Sequence, residues 1–211
     1  MRRLLIIGGV AAAGVLLASC ATMSKDECLV GDWGQKGYDD GASGYPMTRL
    51  EEHAKACAKY QVMPNPSAYQ SAREDGLHSY CTFQRGWTEG RAGNTYYGVC
   101  RPQEEAEFLP AYRDGRRLYD AVAAVESAQS ALNSAISRIE NREDKLEAKQ
   151  AELRQSGLSD DERQKIRDRI QEVRGEIRDA RRNAQDAGDA LDLARREENR
   201  VRYELSRRYP V

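Results

Sequence analysis

The stretch from Leu146 to Val173, LEAKQAELRQSGLSDDERQKIRDRIQEV, decides the fold. Leu146, Gln150 and Leu153 fall on one helical stripe on its N-terminal side, and Ile166, Ile170 and Val173 on another beyond it. Between them Gly157 has the position of a helix stop, and Ser159 with Glu162 forms a capping box that starts the next helix. One helix therefore ends and a second begins within a few residues, which predicts a helical hairpin.

Outward from this turn the same alternation of three and four residues continues in both arms. The first arm carries Leu118, Val122, Val125, Gln129, Leu132, Ile136, Ile139, Glu143, Leu146, Gln150 and Leu153. The second carries Ile166, Ile170, Val173, Ile177, Ala180, Ala184, Ala187, Leu191, Ala194, Glu198, Val201 and Leu205. A repeat sustained over several heptads is a coiled-coil signal. Folding the chain at the turn pairs Leu153 with Ile166, Leu146 with Val173, Ile139 with Ala180 and Leu118 with Val201 in one register. Large residues of the first arm then face alanines of the second between 180 and 194. Each arm is expected to reach roughly 65–70 Å at ~1.5 Å per residue.

Upstream of the hairpin the chain repeats a small residue, an acid, a glycine and a tyrosine. The copies are Gly37/Asp40/Gly41/Tyr45, Ala72/Asp75/Gly76/Tyr80 and Ala111/Asp114/Gly115/Tyr119, with Gly86/Glu89/Gly90 as a further copy whose Tyr96 is displaced by two residues. Asp-Gly is a hairpin-turn signal. The copy at Ala111, however, runs unbroken into the helical stripe Gly115, Leu118, Val122 and Val125, so helix is the better reading for all copies. Glycine inside a helix costs about 1 kcal/mol relative to alanine, so its repetition implies close helix packing in return. The competing reading is a ligand groove lined by Tyr45, Tyr80, Tyr96 and Tyr119, such as one that stacks on sugar.

The same region holds Cys28, Cys57, Cys81 and Cys100. An even set in an exported chain reads as disulfides, and of the three connectivities Cys28–Cys57 with Cys81–Cys100 is favoured because it closes two short loops. Loops of that size are worth roughly 3–4 kcal/mol each. An alternative is a zinc site from His53, Cys57, His78 and Cys81, whose spacings put each His–Cys pair on one helical face.

Export itself is read from the first residues. Arg2 and Arg3 precede an uncharged apolar run from Leu4 to Leu17, the pattern of a signal peptide over residues 1–19. The run ends in Leu17-Ala18-Ser19-Cys20, which resembles the lipobox of bacterial lipoproteins, in which the cysteine carries fatty acyl chains such as palmitate. That resemblance implies lipidation at Cys20. Ala21, in place of Asp, implies the outer membrane, with its periplasmic face as the site. Residues 20–27 are then a short lipidated tether of at most about 25 Å. Without residues 1–19 the chain keeps 31 basic against 34 acidic residues, so neither nucleic acid nor an anionic leaflet is an expected partner.

The segments His53-x3-Cys57, Asp75-Gly76-x3-Tyr80-Cys81, Gly86-x3-Gly90-x2-Gly93, Tyr97-x2-Cys100 and Tyr112-x2-Gly115-x3-Tyr119 resemble a family of small Gram-negative bacterial lipoproteins whose domain has no assigned function. The resemblance implies an address and domain limits, and no catalytic residue.

The expected architecture is all-α: a disulfide-stapled helical domain at 28–110, then a long antiparallel coiled-coil hairpin at 111–209 turning near 156–160. No nucleophile elbow, phosphate loop or dinucleotide fingerprint is present. Asp40, Asp75, Glu89 and Asp114 are carboxylates whose place beside glycine is explained by capping and solvation, so no enzyme activity and no cofactor is expected. Residues 163–182 carry eight basic side chains against four acidic ones, with Arg174, Arg178 and Arg182 on one stripe. That face is a candidate contact for an acidic partner. The functional expectation is a lipid-anchored envelope protein of structural or adaptor type, presenting its hairpin to an envelope protein partner. A glycan or small-molecule module on the Gly/Tyr repeat is the alternative.

Overall fold

The computed structural model describes residues 22–210; the expected signal peptide and Cys20 lie outside them. Seven helices follow one another among the described residues, with no strand: α1 (Lys25–Val30), α2 (Trp33–Ala42), α3 (Arg49–Ala58), α4 (Pro66–Tyr80), α5 (Phe83–Arg91), α6 (Pro102–Leu153) and α7 (Asp160–Leu205). The Asp-Gly copies are all helical, as the run through Gly115 predicts. Two compact units divide the chain after Gly76. The expected boundary at 110/111 falls inside α6, which is unbroken over 52 residues and about 80 Å. Among the described residues no helix is long and apolar enough to cross a membrane.

In the unit ending at Gly76, α2 and α4 touch through backbone. A Cβ at Gly37 would fall inside the Tyr69 carbonyl, and one at Gly76 would lie 2.8 Å from the Ala42 amide nitrogen. The Cys28–Cys57 disulfide, Met23, Trp33 and Tyr69 form the core beside this contact.

The unit from Leu77 repeats the device with α5 and α6. A Cβ at Gly86 would enter the Phe108 carbonyl, and one at Gly115 would lie 2.6 Å from both the Trp87 carbonyl oxygen and the Arg91 nitrogen. Gly37 corresponds to Gly86, Gly76 to Gly115 and Tyr69 to Phe108, so the two units are copies of one helix pair. Each copy has its own disulfide, Cys28–Cys57 or Cys81–Cys100, with Cα atoms 5.4 and 5.5 Å apart. The favoured connectivity is the one found.

Within the second unit α6 continues from its contact with α5 into the first arm of the hairpin, and α7 returns antiparallel. Ser159 and Glu162 make the expected capping box, and Gly157 has the left-handed φ of +88° that a helix stop requires. Cross-arm pairs Arg142–Glu176 at 2.8 Å, Arg181–Glu143 at 2.7 Å and Arg117–Glu204 at 2.7 Å agree with the expected register. The seam departs from expectation in mid-arm. Ala135 is 1% exposed while Ile136 is 43% exposed, and Glu143 is outside with Arg181. The expected register sets Ala180, Ala184 and Ala187 opposite this stretch, and between small residues helices can approach closely enough to take a methyl where an isoleucine would hold them apart.

At the hairpin root Tyr209 stacks on Trp87 with centroids 4.0 Å apart and on Phe83 at 5.5 Å. Its hydroxyl donates to Asp114 at 2.9 Å. Burial and then this hydrogen bond push the Tyr209 hydroxyl up to about 12.

The glycines give a paired prediction. Gly90→Ala drives a Cβ into the Tyr112 carbonyl and is expected to destabilise by about 1–3 kcal/mol or more. Gly188 in α7 has nothing within 4 Å, so Gly188→Ala is expected to stabilise by about 0.5–1 kcal/mol. Urea unfolding of the two variants beside the parent checks both signs.

Candidate functional site

The most polar buried cluster lies in the first unit. Asp40 comes from the last turn of α2 and is buried with Gly37 and Gly41. His53 is on α3 and fully buried, and Tyr69 is the α4 residue whose backbone Gly37 abuts. His53 Nε2 donates to Asp40 Oδ2 at 2.7 Å, and the Tyr69 hydroxyl donates to the same oxygen at 2.6 Å. With its Nε2–H committed to Asp40, the ring meets the Thr22 hydroxyl through Nδ1 at 2.7 Å.

Burial works to raise the Asp40 carboxyl, but the hydrogen bonds from His53 and Tyr69 outweigh it and hold the group below its ordinary value. Burial and the bond to Asp40 in turn raise the Tyr69 hydroxyl far above the usual phenol range. Asp, His and a hydroxyl in this order are the parts of an activated nucleophile. Here the imidazole is 0% exposed and is held between Asp40 and the Thr22 hydroxyl. The arrangement ties Thr22 to α3 through His53.

Met23 continues this docking. It is buried, with its sulfur 3.9 Å from Cys57 Sγ. Ser24 then caps α1 through a second capping box with Glu27. The part of the expected tether that is described, residues 22–27, is therefore folded against its own unit rather than loose.

The second unit lacks this cluster. Phe108 stands where Tyr69 does and brings no hydroxyl, and Glu89, in the place of Asp40, takes Asn94 at 2.6 Å and Arg85 at 2.8 Å. His78 pairs with Glu104 at 2.5 Å. Asp114 holds the root through Arg208 and Tyr209, and Asp75 is exposed. None of the four expected carboxylates pairs with another as acid and base. The zinc alternative is overturned by its own sulfurs, because Cys57 is bonded to Cys28 and Cys81 to Cys100.

The rings of the four tyrosines weighed above are each engaged within their own unit. Tyr80 is buried with its ring on Phe108 at 5.1 Å, and Tyr96 packs on the same ring at 4.8 Å. Tyr96 also donates to Glu105 at 2.8 Å. Tyr119 covers Gly93 and takes the Arg116 guanidinium over its ring at 5.1 Å, and Tyr45 takes the Arg49 guanidinium at 4.5 Å. The ring faces a sugar would need are occupied in Tyr80 and Tyr96.

On the hairpin, Arg174 and Arg178 are exposed and line a shallow groove of about 270 Å³ with Leu146 and Ile177. Arg182 is exposed and paired with Asp179. The stripe is thus presented to solvent near the middle of α7.

Residue-level signals for the His53 cluster were present but ambiguous. Asp40 belongs to the Gly/Tyr repeat, yet nothing in its spacing says that a histidine thirteen residues later returns to it.

Residues 32–117 match a protein-family model described as a protein of unknown function, DUF2799, and the match spans both helix pairs as far as the start of the hairpin. No curated protein and no solved structure matches the chain.

The buried carboxylate gives a pH prediction. A group whose folded value is depressed contributes stability above its unfolded value, here near 3.8, and loses it as the pH falls through the folded value. Asp40→Asn is expected to cost about 1–3 kcal/mol at neutral pH, and the gap to the parent is expected to narrow in acid. Denaturant unfolding at several pH values measures that gap, and a gap independent of pH would count against the role assigned to Asp40.

Proposed function

We propose that this protein is a lipid-anchored component of the bacterial cell envelope, of structural or adaptor type, that holds a rigid helical hairpin for a protein partner. The observation that carries the reading is the continuity of α6, one helix from its contact with α5 to the hairpin tip at Leu153. A partner engaged along the hairpin is then fixed to the helix pair at its root without a hinge between them. Coiled coils of this length position or bind other proteins.

The address rests on the sequence: an apolar leader, the Cys20 lipobox and Ala21 favour the periplasmic face of the outer membrane. Two disulfides suit an oxidising compartment. The exposed stripe of Arg174, Arg178 and Arg182 gives the hairpin a basic face for an acidic partner.

In-cell photocrosslinking tests the adaptor role. A photoreactive residue at Ser156, exposed at the tip, or at Arg178 on the basic stripe is expected to yield a defined protein adduct, and one at exposed Tyr97 none. Adducts from Tyr97 alone, or from no position, would overturn the reading and favour a small-molecule role for the repeat units.

A further inference from the structure

We infer that α1 lies in the membrane interface beside the lipid anchor, with Leu29 and Val30 inserted at the boundary between headgroups and acyl chains of a zwitterionic leaflet. The inference rests on the proposed acylation of Cys20 and adds the place where the protein's own surface meets lipid.

The first argument is distance. Thr22 is bonded to His53 and Met23 is buried on the Cys28–Cys57 disulfide, so the chain is fixed from residue 22 onward. Only Ala21 separates Thr22 from Cys20, and two residue steps span at most about 7 Å. Acyl chains on Cys20 therefore bring the bilayer against the surface around Thr22 and Met23.

The second argument is what that surface carries. α1 turns Cys28 inward and leaves Leu29 57% and Val30 78% exposed, two consecutive apolar side chains on a six-residue helix. Val30 and Met23 line one cleft of about 320 Å³, so Val30 stands beside a residue three positions after the expected anchor. Apolar side chains beside an acyl anchor add to its hold on the interface.

Charge selects the leaflet. The cleft is rimmed by Asp26, Glu27, Asp32 and Asp39 against Lys36. Such a rim is repelled by anionic lipid and suits the ammonium groups of zwitterionic headgroups.

The test uses the full acylated protein, purified from membranes and reconstituted into vesicles of phosphatidylethanolamine and phosphatidylcholine with brominated acyl chains. An environment-sensitive fluorescent amino acid replaces Val30, or Met63 as the control, which is 80% exposed in the same unit. Position 30 is expected to shift to the blue and lose emission to the bromines, while position 63 keeps its emission in water. Adding phosphatidylglycerol is expected to reduce the quenching at 30 without releasing the protein. Flotation with vesicles but no quenching at 30, or equal quenching at both positions, overturns the inference alone. Failure of the purified protein to float with vesicles overturns the anchor, and this inference with it.

Discussion

A glycine hydrogen set against a carbonyl oxygen, with no room for another carbon, is the contact on which both units depend. Gly37 against Tyr69 and Gly86 against Phe108 bring two helices to backbone contact, and Gly76 and Gly115 close the same pairs from the other side. Once helices approach this closely their aromatic side chains must lie beside the contact rather than within it. Trp33 and Tyr69 take that place in one unit, and Tyr80, Tyr96 and Phe108 in the other. The disulfides then act on a geometry the glycines have set, each joining the approach to the first helix of a pair to the approach to the second.

The two copies have taken different work. In the first, the hydroxyl of Tyr69 and the imidazole of His53 converge on Asp40 and the ring also takes Thr22, so this copy is tied to the chain that enters it. In the second, Phe108 has no hydroxyl, and the second helix of the pair runs on to become a hairpin arm. One helix pair receives the segment that follows the expected anchor, and the other carries the lever.

Most of this architecture could be read from the residues because it is written in periods. Heptads announce α6 and α7, Gly157 and Ser159 mark the turn, and short cysteine loops favour the right pairing. What could not be read depends on distance rather than pattern. Ile136 is the more hydrophobic choice for the seam, yet Ala135 occupies it, and small residues on both sides of a seam let helices pack more closely than a branched side chain would. Tyrosines at repeat positions suggest stacking faces, but whether a ring is free or covered depends on partners such as Phe108 that are remote in sequence. Thr22 and Met23 read as linker because two small segments of chain beside a lipobox carry no periodicity; only the imidazole and the disulfide they meet make them part of the fold.

The aromatic sandwich at Tyr209 has a mechanical meaning. A helical arm held at its base by a single element would swivel about that point under load. Here α6 is locked to α5 through the glycines, and Tyr209, just past the end of α7, is locked to α5 by the stack on Trp87 and Phe83 and to α6 by the bond to Asp114. Both legs are built into one foundation, so the hairpin is a cantilever clamped at its root. A sideways force near the tip is carried there as tension in one leg and compression in the other, loads that a hydrogen-bonded helix bears far better than bending.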